Sequence, residues 1–149
     1  VSEMYVKNNL AKPRGFICCG SPVELNKIKT PMYFLSAIDD HIAPWKSTFS
    51  GTELVGGHLE FVLGGSGHIA GVINPPEKNK RNYWTSGELG HGPDHWLESA
   101  TNNLGSWWTH WHKWLEGQNA RQVPARQIET VGDYKEIVPA PGDYVRVRL

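Results

Sequence analysis

Apolar segments of strand length alternate with polar loops in the first half of the chain. Met32–Ala37 is apolar on both faces, a pattern typical of a central strand in a parallel sheet. Residues 59–63 form a second apolar segment, and residues 46–55 between them place Phe49 and Leu54 where a helix would bury them. The order strand, helix, strand predicts an α/β layer architecture.

Helix signals are clearest in two segments further along the chain. Pro93 suits the first position of a helix, which we expect over residues 93–101. Ser106 can cap a second helix over residues 106–116, and Gly117 would end it.

The two ends of the chain carry weaker patterns. Residues 2–10 are predicted to form a short helix and residues 16–19 a short strand. Residues 118–149 are interrupted by prolines and contain the alternating segment Tyr-Val-Arg-Val. We therefore expect residues 1–117 to form the core and residues 118–149 an extended tail packed on it.

Composition narrows the possible classes of function. The 149 residues suit one domain, and 15 basic residues balance 15 acidic ones, so charge gives no sign of binding to nucleic acid or an anionic membrane. No apolar run approaches the roughly 20 residues that cross a bilayer, and no signal-peptide pattern is visible. The two cysteines, Cys18 and Cys19, are adjacent and therefore poorly placed to bridge each other. These features predict a cytoplasmic protein without disulfides.

A glycine-rich turn and a histidine follow the second apolar segment. The turn is Gly-Gly-Ser-Gly at residues 64–67, and His68 comes next. We expect its glycines to adopt backbone angles closed to other residues, so that the turn is sharp and presents His68 outward. A histidine held in this way is a candidate general base. The alternative is a loop histidine without a chemical role.

Asp40 lies 28 residues before His68 and also follows a predicted strand. Functional groups of open α/β sheets gather beyond the carboxyl ends of the strands, so we expect the two side chains to meet. The carboxylate would then hold one ring nitrogen while the other accepts a proton. The alternative is a structural ion pair.

The sequence lacks a recognisable nucleophile. The α/β-hydrolase order is nucleophile, acid, histidine, and the nucleophile sits in G-x-S-x-G or G-x-C-x-G. Residues 64–68 do not match this motif, because a histidine stands where the last glycine is required. Neither Cys18 nor Cys19 has the flanking glycines. We expect both cysteines to be small buried hydrophobic residues. Because the chain begins at Val1 without an initiator methionine, we expect the nucleophile to precede Val1 in a longer protein.

Three segments carry a more specific pattern: DDHIAPW at residues 39–45, GHIAGVINPP at residues 67–76 and GSWW at residues 105–108. They resemble the C-terminal part of polyhydroxyalkanoate synthases, and the class I type, with short-chain substrates, is the closest likeness. The resemblance covers most of the chain and weakens after Gln118.

The resemblance implies the C-terminal portion of an α/β-hydrolase sheet and a Cys-His-Asp triad, in which Asp40 and His68 match the aspartate and the histidine. His68 would deprotonate the cysteine, which takes a 3-hydroxyacyl group from a CoA thioester. His68 would then deprotonate a substrate hydroxyl, which attacks the acyl-enzyme and lengthens the polyester. Because the triad cysteine has no counterpart here, we expect the chain alone to be inactive.

The resemblance also implies the partners. They are 3-hydroxyacyl-CoA, the polyester chain, the N-terminal remainder of the same enzyme, a second copy in a homodimer, and the surface of a cytoplasmic polymer granule. No cofactor, metal or nucleic acid is expected. Lys78, Lys80 and Arg81 could meet the phosphates of CoA as point charges, or they form a solvated loop.

Two alternatives to a synthase remain open. An esterase or lipase of the same fold would use water in place of the hydroxyacyl chain, and a serine at the missing elbow would favour it. A non-catalytic module would bind granules or a partner through the tryptophan-rich helix. That alternative predicts exposed Trp107 and Trp111, and an Asp40 too far from His68 to form a hydrogen bond.

His41 and the tryptophans each have two interpretations. His41 could tune the site or contact substrate, or it caps the loop. Trp107, Trp111 and Trp114 recur with helical spacing, which predicts a core helix, and a polyester-contacting surface is the alternative. Two histidine pairs do not share a helical face, so we expect no zinc site there: His91 with His95, and His110 with His112.

Overall fold

The computed structural model describes residues 1–125 and 137–148 of the chain. They fall into two compact units, Val1–Gln118 and Asn119–Leu149. The first unit contains a mixed sheet with flanking helices, so the predicted α/β class is confirmed at that level. The packing of a tail on the core stays a prediction.

Parallel and antiparallel pairing are combined in the main sheet. A small antiparallel hairpin of β1 (Ile17–Cys18) and β2 (Ser21–Pro22) precedes it. The main sheet then has four strands in chain order: β3 (Met32–Ala37), β4 (Leu59–Gly64), β5 (Asn82–Thr85) and β6 (Thr101–Leu104). β3 and β4 are parallel, while β5 and β6 continue the sheet in antiparallel fashion. The loops after β3 and β4 therefore leave the same edge of the sheet.

In the part of the chain that the structure describes, three α-helices accompany the sheet: α1 (Trp45–Phe49), α2 (Pro93–Ser99) and α3 (Trp107–Gln118). The predicted start of α2 is confirmed, with Pro93 in its first turn. The predicted cap of α3 is also confirmed, because the Trp108 backbone N–H donates to the Ser106 hydroxyl at 3.1 Å. Gly117, expected to end α3, lies inside it.

Helices α1 and α2 cover one face of the sheet with interlocking aromatic rings. Phe49 and Trp96 are almost fully buried, at 0% and 1% exposure. Phe61, from β4, meets both rings edge-on, at centroid distances of 5.0 Å and 4.8 Å. Edge-to-face contacts add to the free energy of burying such large apolar side chains. The core of the unit therefore lies on this face, directly behind the parallel pair of strands.

Helix α3 covers the opposite face of the sheet but remains a surface helix. Its side chains are at best half-buried, and Trp111 is 41% exposed. Tyr33 of β3 contacts Trp114 edge-on at 5.4 Å, and its hydroxyl lies 3.0 Å from Nδ1 of His110. Burial raises the pKa of Tyr33 above its usual range. The prediction that the tryptophans make α3 a core helix is wrong, because only one side of α3 contacts the sheet.

Several local predictions differ from the structure. The predicted helix over residues 46–55 is α1 followed by a 3₁₀ turn at Ser50–Glu53. The predicted helix over residues 2–10 is reduced to two short turns, Ser2–Val6 and Asn9–Ala11. β3 was predicted to be central, but among the described residues it pairs only with β4 and is largely half-buried.

The two cysteines are exposed, so the prediction that they are buried is wrong. Cys18 ends the short strand β1, and Cys19 lies in the hairpin turn with a positive φ of 47°. A turn at the surface leaves both side chains without a core to enter.

In the second unit, Tyr144–Arg146 forms a 3₁₀ turn, where the alternating pattern predicted extended chain. The rest of the predicted tail lies partly outside the described residues. Within residues 1–125 and 137–148, no helix combines the length and the apolar character needed to cross a membrane.

Candidate active site

The parallel pairing of β3 and β4 continues into the two loops that follow them. The backbone N–H of Ile38 donates to the Gly64 carbonyl at 2.9 Å, and that of Asp39 donates to the Ser66 carbonyl at 3.1 Å. These two bonds hold the aspartate loop against the histidine loop. Side chains far apart in sequence are thereby brought to one edge of the sheet.

Asp40 uses its two carboxylate oxygens for different purposes. Oδ1 accepts the backbone N–H groups of Ile42 and Ala43, each at 2.9 Å. Oδ2 lies 2.8 Å from Nδ1 of His68. The Asp40 side chain is only 8% exposed, whereas that of His68 is 47% exposed. The sequence prediction did not identify the two backbone donors, although an aspartate at the start of a turn is a known signal for such bonds.

Hydrogen bonding keeps the Asp40 carboxyl ionised. The backbone N–H of Ala43 and the ring of His68 lower the pKa of this carboxyl from 3.8 to about 2, and the N–H of Ile42 adds to the effect. All three groups favour the charged form because they donate to it. Asp40 is therefore a carboxylate across the physiological pH range.

The ionised carboxylate determines the state of the His68 ring. A carboxylate can only accept, so Nδ1 of His68 must carry the proton of the 2.8 Å bond. In the neutral imidazole, Nε2 is then left with a free lone pair. Because the His68 side chain is half-exposed, the arrangement can take up a proton from a group placed beside it.

Close packing, rather than unusual backbone angles, explains Gly65 and Gly71 of the histidine loop. A Cβ on Gly65 would lie 2.4 Å from Oδ1 of Asn82, and one on Gly71 would lie 2.6 Å from Cβ of Ala37. The left-handed residue of the turn is Ser66, with φ of 83°. The expectation that the glycines supply the unusual angles is therefore wrong for this turn.

The other candidate site residues singled out in the sequence are exposed. His41 is exposed beside Asp40. The basic residues predicted to contact CoA or solvent are all exposed: Lys78, Lys80 and Arg81. Among the described residues, no group of three His, Cys, Asp or Glu side chains is arranged to hold a metal ion.

No protein-family model matches the chain. Individual relatives do match along nearly its whole length. It is 44% identical over 144 residues to the poly(3-hydroxyalkanoate) polymerase subunit PhaC of Cupriavidus necator and 46% identical over 144 residues to that of Rhizobium meliloti. It is also 44% identical over 146 residues to the poly(3-hydroxyalkanoate) polymerase of Methylorubrum extorquens. Each match covers 97% of this chain, but the chain spans only about a quarter of the length of these curated relatives (24%, 23% and 24%).

Proposed function

We propose that this chain, which is homologous to a C-terminal segment of poly(3-hydroxyalkanoate) polymerases, supplies the acid and the base of a polyester-forming acyl-transfer site. The resemblance noted in the sequence is confirmed by these matches. The observation that carries the proposal is the 2.8 Å contact between Nδ1 of His68 and Oδ2 of Asp40, at the edge of the sheet where two parallel strands end.

The fold supports an α/β-hydrolase assignment. In that architecture the acid and the histidine follow the nucleophile in the chain and lie in loops at the carboxyl ends of strands. Asp40 follows β3 and His68 follows β4, in that order. We propose that the nucleophile is a cysteine in a part of the protein outside this chain. On this proposal the chain alone is inactive.

His68 takes up and returns a proton in each of the two steps of the proposed reaction. Its Nε2 takes the proton of the cysteine thiol, and the thiolate attacks the carbonyl carbon of a 3-hydroxyacyl-CoA thioester. CoA leaves as a thiol with the proton that His68 returns. His68 next takes the proton of a substrate hydroxyl, whose oxygen attacks the carbonyl carbon of the acyl-enzyme. The new ester bond forms as the carbon–sulfur bond breaks, and the cysteine leaves as a thiol with the proton that His68 returns. Asp40 stabilises the imidazolium in both steps.

Our proposal for the complete protein is based on the polymerases to which the chain is similar. The complete protein would act on 3-hydroxyacyl-CoA and a polyester chain as a homodimer at the surface of cytoplasmic granules. The acyl transfer uses only side chains, so we propose no cofactor and no metal. His41 is proposed as an active-site neighbour, since it follows Asp40 directly and is exposed.

Replacing Asp40 with Asn tests the proposal with little disturbance of the fold. The amide oxygen of Asp40→Asn can still accept from Ile42 and Ala43, but its NH₂ group would face Nδ1 of His68. Nδ1 must then act as the acceptor, which moves the proton to Nε2 and removes the base. We expect kcat for CoA release from 3-hydroxybutyryl-CoA to fall by about 10³–10⁴-fold in the complete polymerase.

The matched control is Asp39→Asn, which makes the same chemical change at an exposed neighbour and should leave kcat unchanged. Equal activity in both variants would refute the role of Asp40. Product analysis separates the esterase alternative, which predicts free 3-hydroxybutyrate instead of polymer. The binding-module alternative required Asp40 and His68 to lie apart, and they lie 2.8 Å apart.

A further inference from the structure

The loop that carries His68 is held at its far end by the first residues of α3. The indole N–H groups of Trp107 and Trp108 both donate to the backbone carbonyl of Val72, at 3.1 Å and 2.9 Å. The backbone N–H of Asn74 donates to the same oxygen at 3.1 Å. Three donors on one carbonyl oxygen leave that oxygen little freedom to move.

Three further hydrogen bonds, all involving Asn74, strengthen the same region. The Ser106 hydroxyl donates to the carbonyl of Asn74, and the buried Asn74 amide donates to the carbonyls of Lys80 and Gly105 at 2.9 Å and 3.4 Å. The start of α3 and the histidine loop therefore form one hydrogen-bonded structure.

A continuous set of backbone bonds leads from Val72 back to the histidine. The N–H of Val72 donates to the Ile69 carbonyl at 3.1 Å, and the N–H of Ile73 donates to that carbonyl at 2.8 Å. Ile69 directly follows His68 in the sequence. Gly71 closes the turn by donating to the Gly67 carbonyl at 2.8 Å, so a shift at Val72 moves the backbone on both sides of His68.

We propose that Trp107 and Trp108 are positioning residues for His68, because their indole N–H groups fix the loop that presents its imidazole to Asp40. The inference rests on the proposed function, since it matters only if His68 is the base. The indole N–H groups of both tryptophans are directed at the Val72 carbonyl. Their effect on the reaction passes through the backbone of the loop, and a displacement of about 1 Å can lower a rate by about a hundredfold.

The variants are made in the complete polymerase that contains this chain. Trp107→Phe and Trp108→Phe each remove one indole donor, and the double variant removes both. We expect a loss in kcat of about threefold for each single variant and of tenfold or more for the double variant, with KM for 3-hydroxybutyryl-CoA unchanged. The loss should exceed the product of the single losses, because either indole can hold Val72 when the other is gone.

Trp111→Phe is the matched control, because it removes an indole from the same helix at a 41% exposed position. It should leave kcat unchanged. Proton NMR of histidine-labelled protein gives a readout independent of turnover. The Nδ1 proton of His68 should lose its downfield signal in the double variant and keep it in Trp111→Phe. If the double variant retains both kcat and this signal at control levels, the inference is wrong.

A second substitution guards against loss of folding in the double variant. Incorporation of β-(3-benzothienyl)alanine at position 108 keeps the size of the ring and replaces only the N–H with sulfur. A fall in kcat with an unchanged melting temperature supports positioning, and an unchanged kcat overturns it. Asp40→Asn is measured alongside. If Asp40→Asn is fully active, the proposed function fails, whereas an inactive Asp40→Asn with active tryptophan variants refutes only the positioning role.

Discussion

At the scale of single residues, the turn after β3 holds the Asp40 side chain in the orientation that reaches His68. Its Oδ1 is held by two backbone N–H groups, at 2.9 Å each, so the carboxylate plane cannot rotate. Because the carboxylate is already held in place, its Oδ2 faces His68 and loses no further conformational freedom when it bonds to the ring. The backbone of the turn after β3 thus orients the Asp40 carboxylate that accepts from the imidazole.

The lowered pKa of Asp40 predicts a dependence of stability on pH. The pKa in the folded state, about 2, lies below the ordinary value of 3.8, so folding favours the ionised form. The resulting stabilisation is complete above about pH 4 and is lost as the pH falls through 2. Urea unfolding followed by tryptophan fluorescence measures the free energy of unfolding at each pH.

The variant Asp40→Asn, which cannot ionise, isolates this contribution. The difference in stability between the wild type and Asp40→Asn should be constant near neutral pH and should shrink between about pH 4 and pH 2. Asp39→Asn, at an exposed position, should show no such trend. A difference that stays constant down to pH 2 would mean that the carboxyl of Asp40 is not held in its charged form.

At the scale of elements, the sequence predicted those strands whose own residues are apolar. Residues 59–63 and Met32–Ala37 correspond to β4 and β3 within one residue. β5 and β6 were not predicted, because segments such as Thr-Asn-Asn-Leu have no alternation, and their pairing depends on the neighbouring strand. The burial of β3 was overestimated because the apolar residues of a strand do not show how many other strands pair with it.

The sequence predicted the candidate site residues but not the contacts that hold their loops in place. Asp40 and His68 each follow an apolar strand, which is visible in the sequence. The contacts of Trp107 and Trp108 with Val72 span 35 and 36 residues, and nothing in their spacing distinguishes them from ordinary apolar residues of a helix. Their role depends on where the indole N–H groups point, which only the fold determines.

The packing of the histidine loop against β3 can be tested at Gly71. The substitution Gly71→Ala places a methyl group 2.6 Å from Cβ of Ala37 and 2.9 Å from the Gly67 carbonyl. Neither neighbour can rotate away, so we expect a loss of about 1–3 kcal/mol in the free energy of unfolding. A fall in kcat should accompany it, because the two loops separate.

Gly117→Ala is the control for this substitution. It adds the same methyl group in α3, where no atom lies within 4 Å. We expect it to be neutral, or to stabilise the protein by up to about 1 kcal/mol. Equal melting temperatures for the two variants would show that the histidine loop is not tightly packed on β3.

The two faces of the sheet should differ in their contribution to stability. Trp96→Ala empties a site that is 1% exposed and in contact with three other aromatic rings, so we expect a loss of about 3–5 kcal/mol. Trp111→Ala removes the same type of side chain from the 41% exposed position on α3. It should lower the free energy of unfolding by clearly less. Urea unfolding midpoints compare the two variants. A larger loss of stability in Trp111→Ala than in Trp96→Ala would show that the core lies on the face covered by α3.

At the scale of the whole molecule, the described residues contain Asp40 and His68, two members of the three-residue site that we propose. His68 is half-exposed, and among the described residues β3 has only β4 as a partner. Both features suit a unit that is completed by another part of the same protein. The matched relatives are about four times as long as this chain, which leaves room for such a part.

A chimera tests whether this chain completes a polymerase. We expect the Cupriavidus necator polymerase to retain CoA release and polymer formation when this chain replaces the matched segment, because 44% identity over 144 residues preserves the packing of the sheet and its loops. The chain alone should release no CoA from 3-hydroxybutyryl-CoA. The same chimera carrying His68→Ala should be inactive, while one carrying the exposed substitution His112→Ala should remain active. Turnover by the chain alone would place the nucleophile within it, and substitution of Cys18, Cys19 and Ser66 in turn would then identify it.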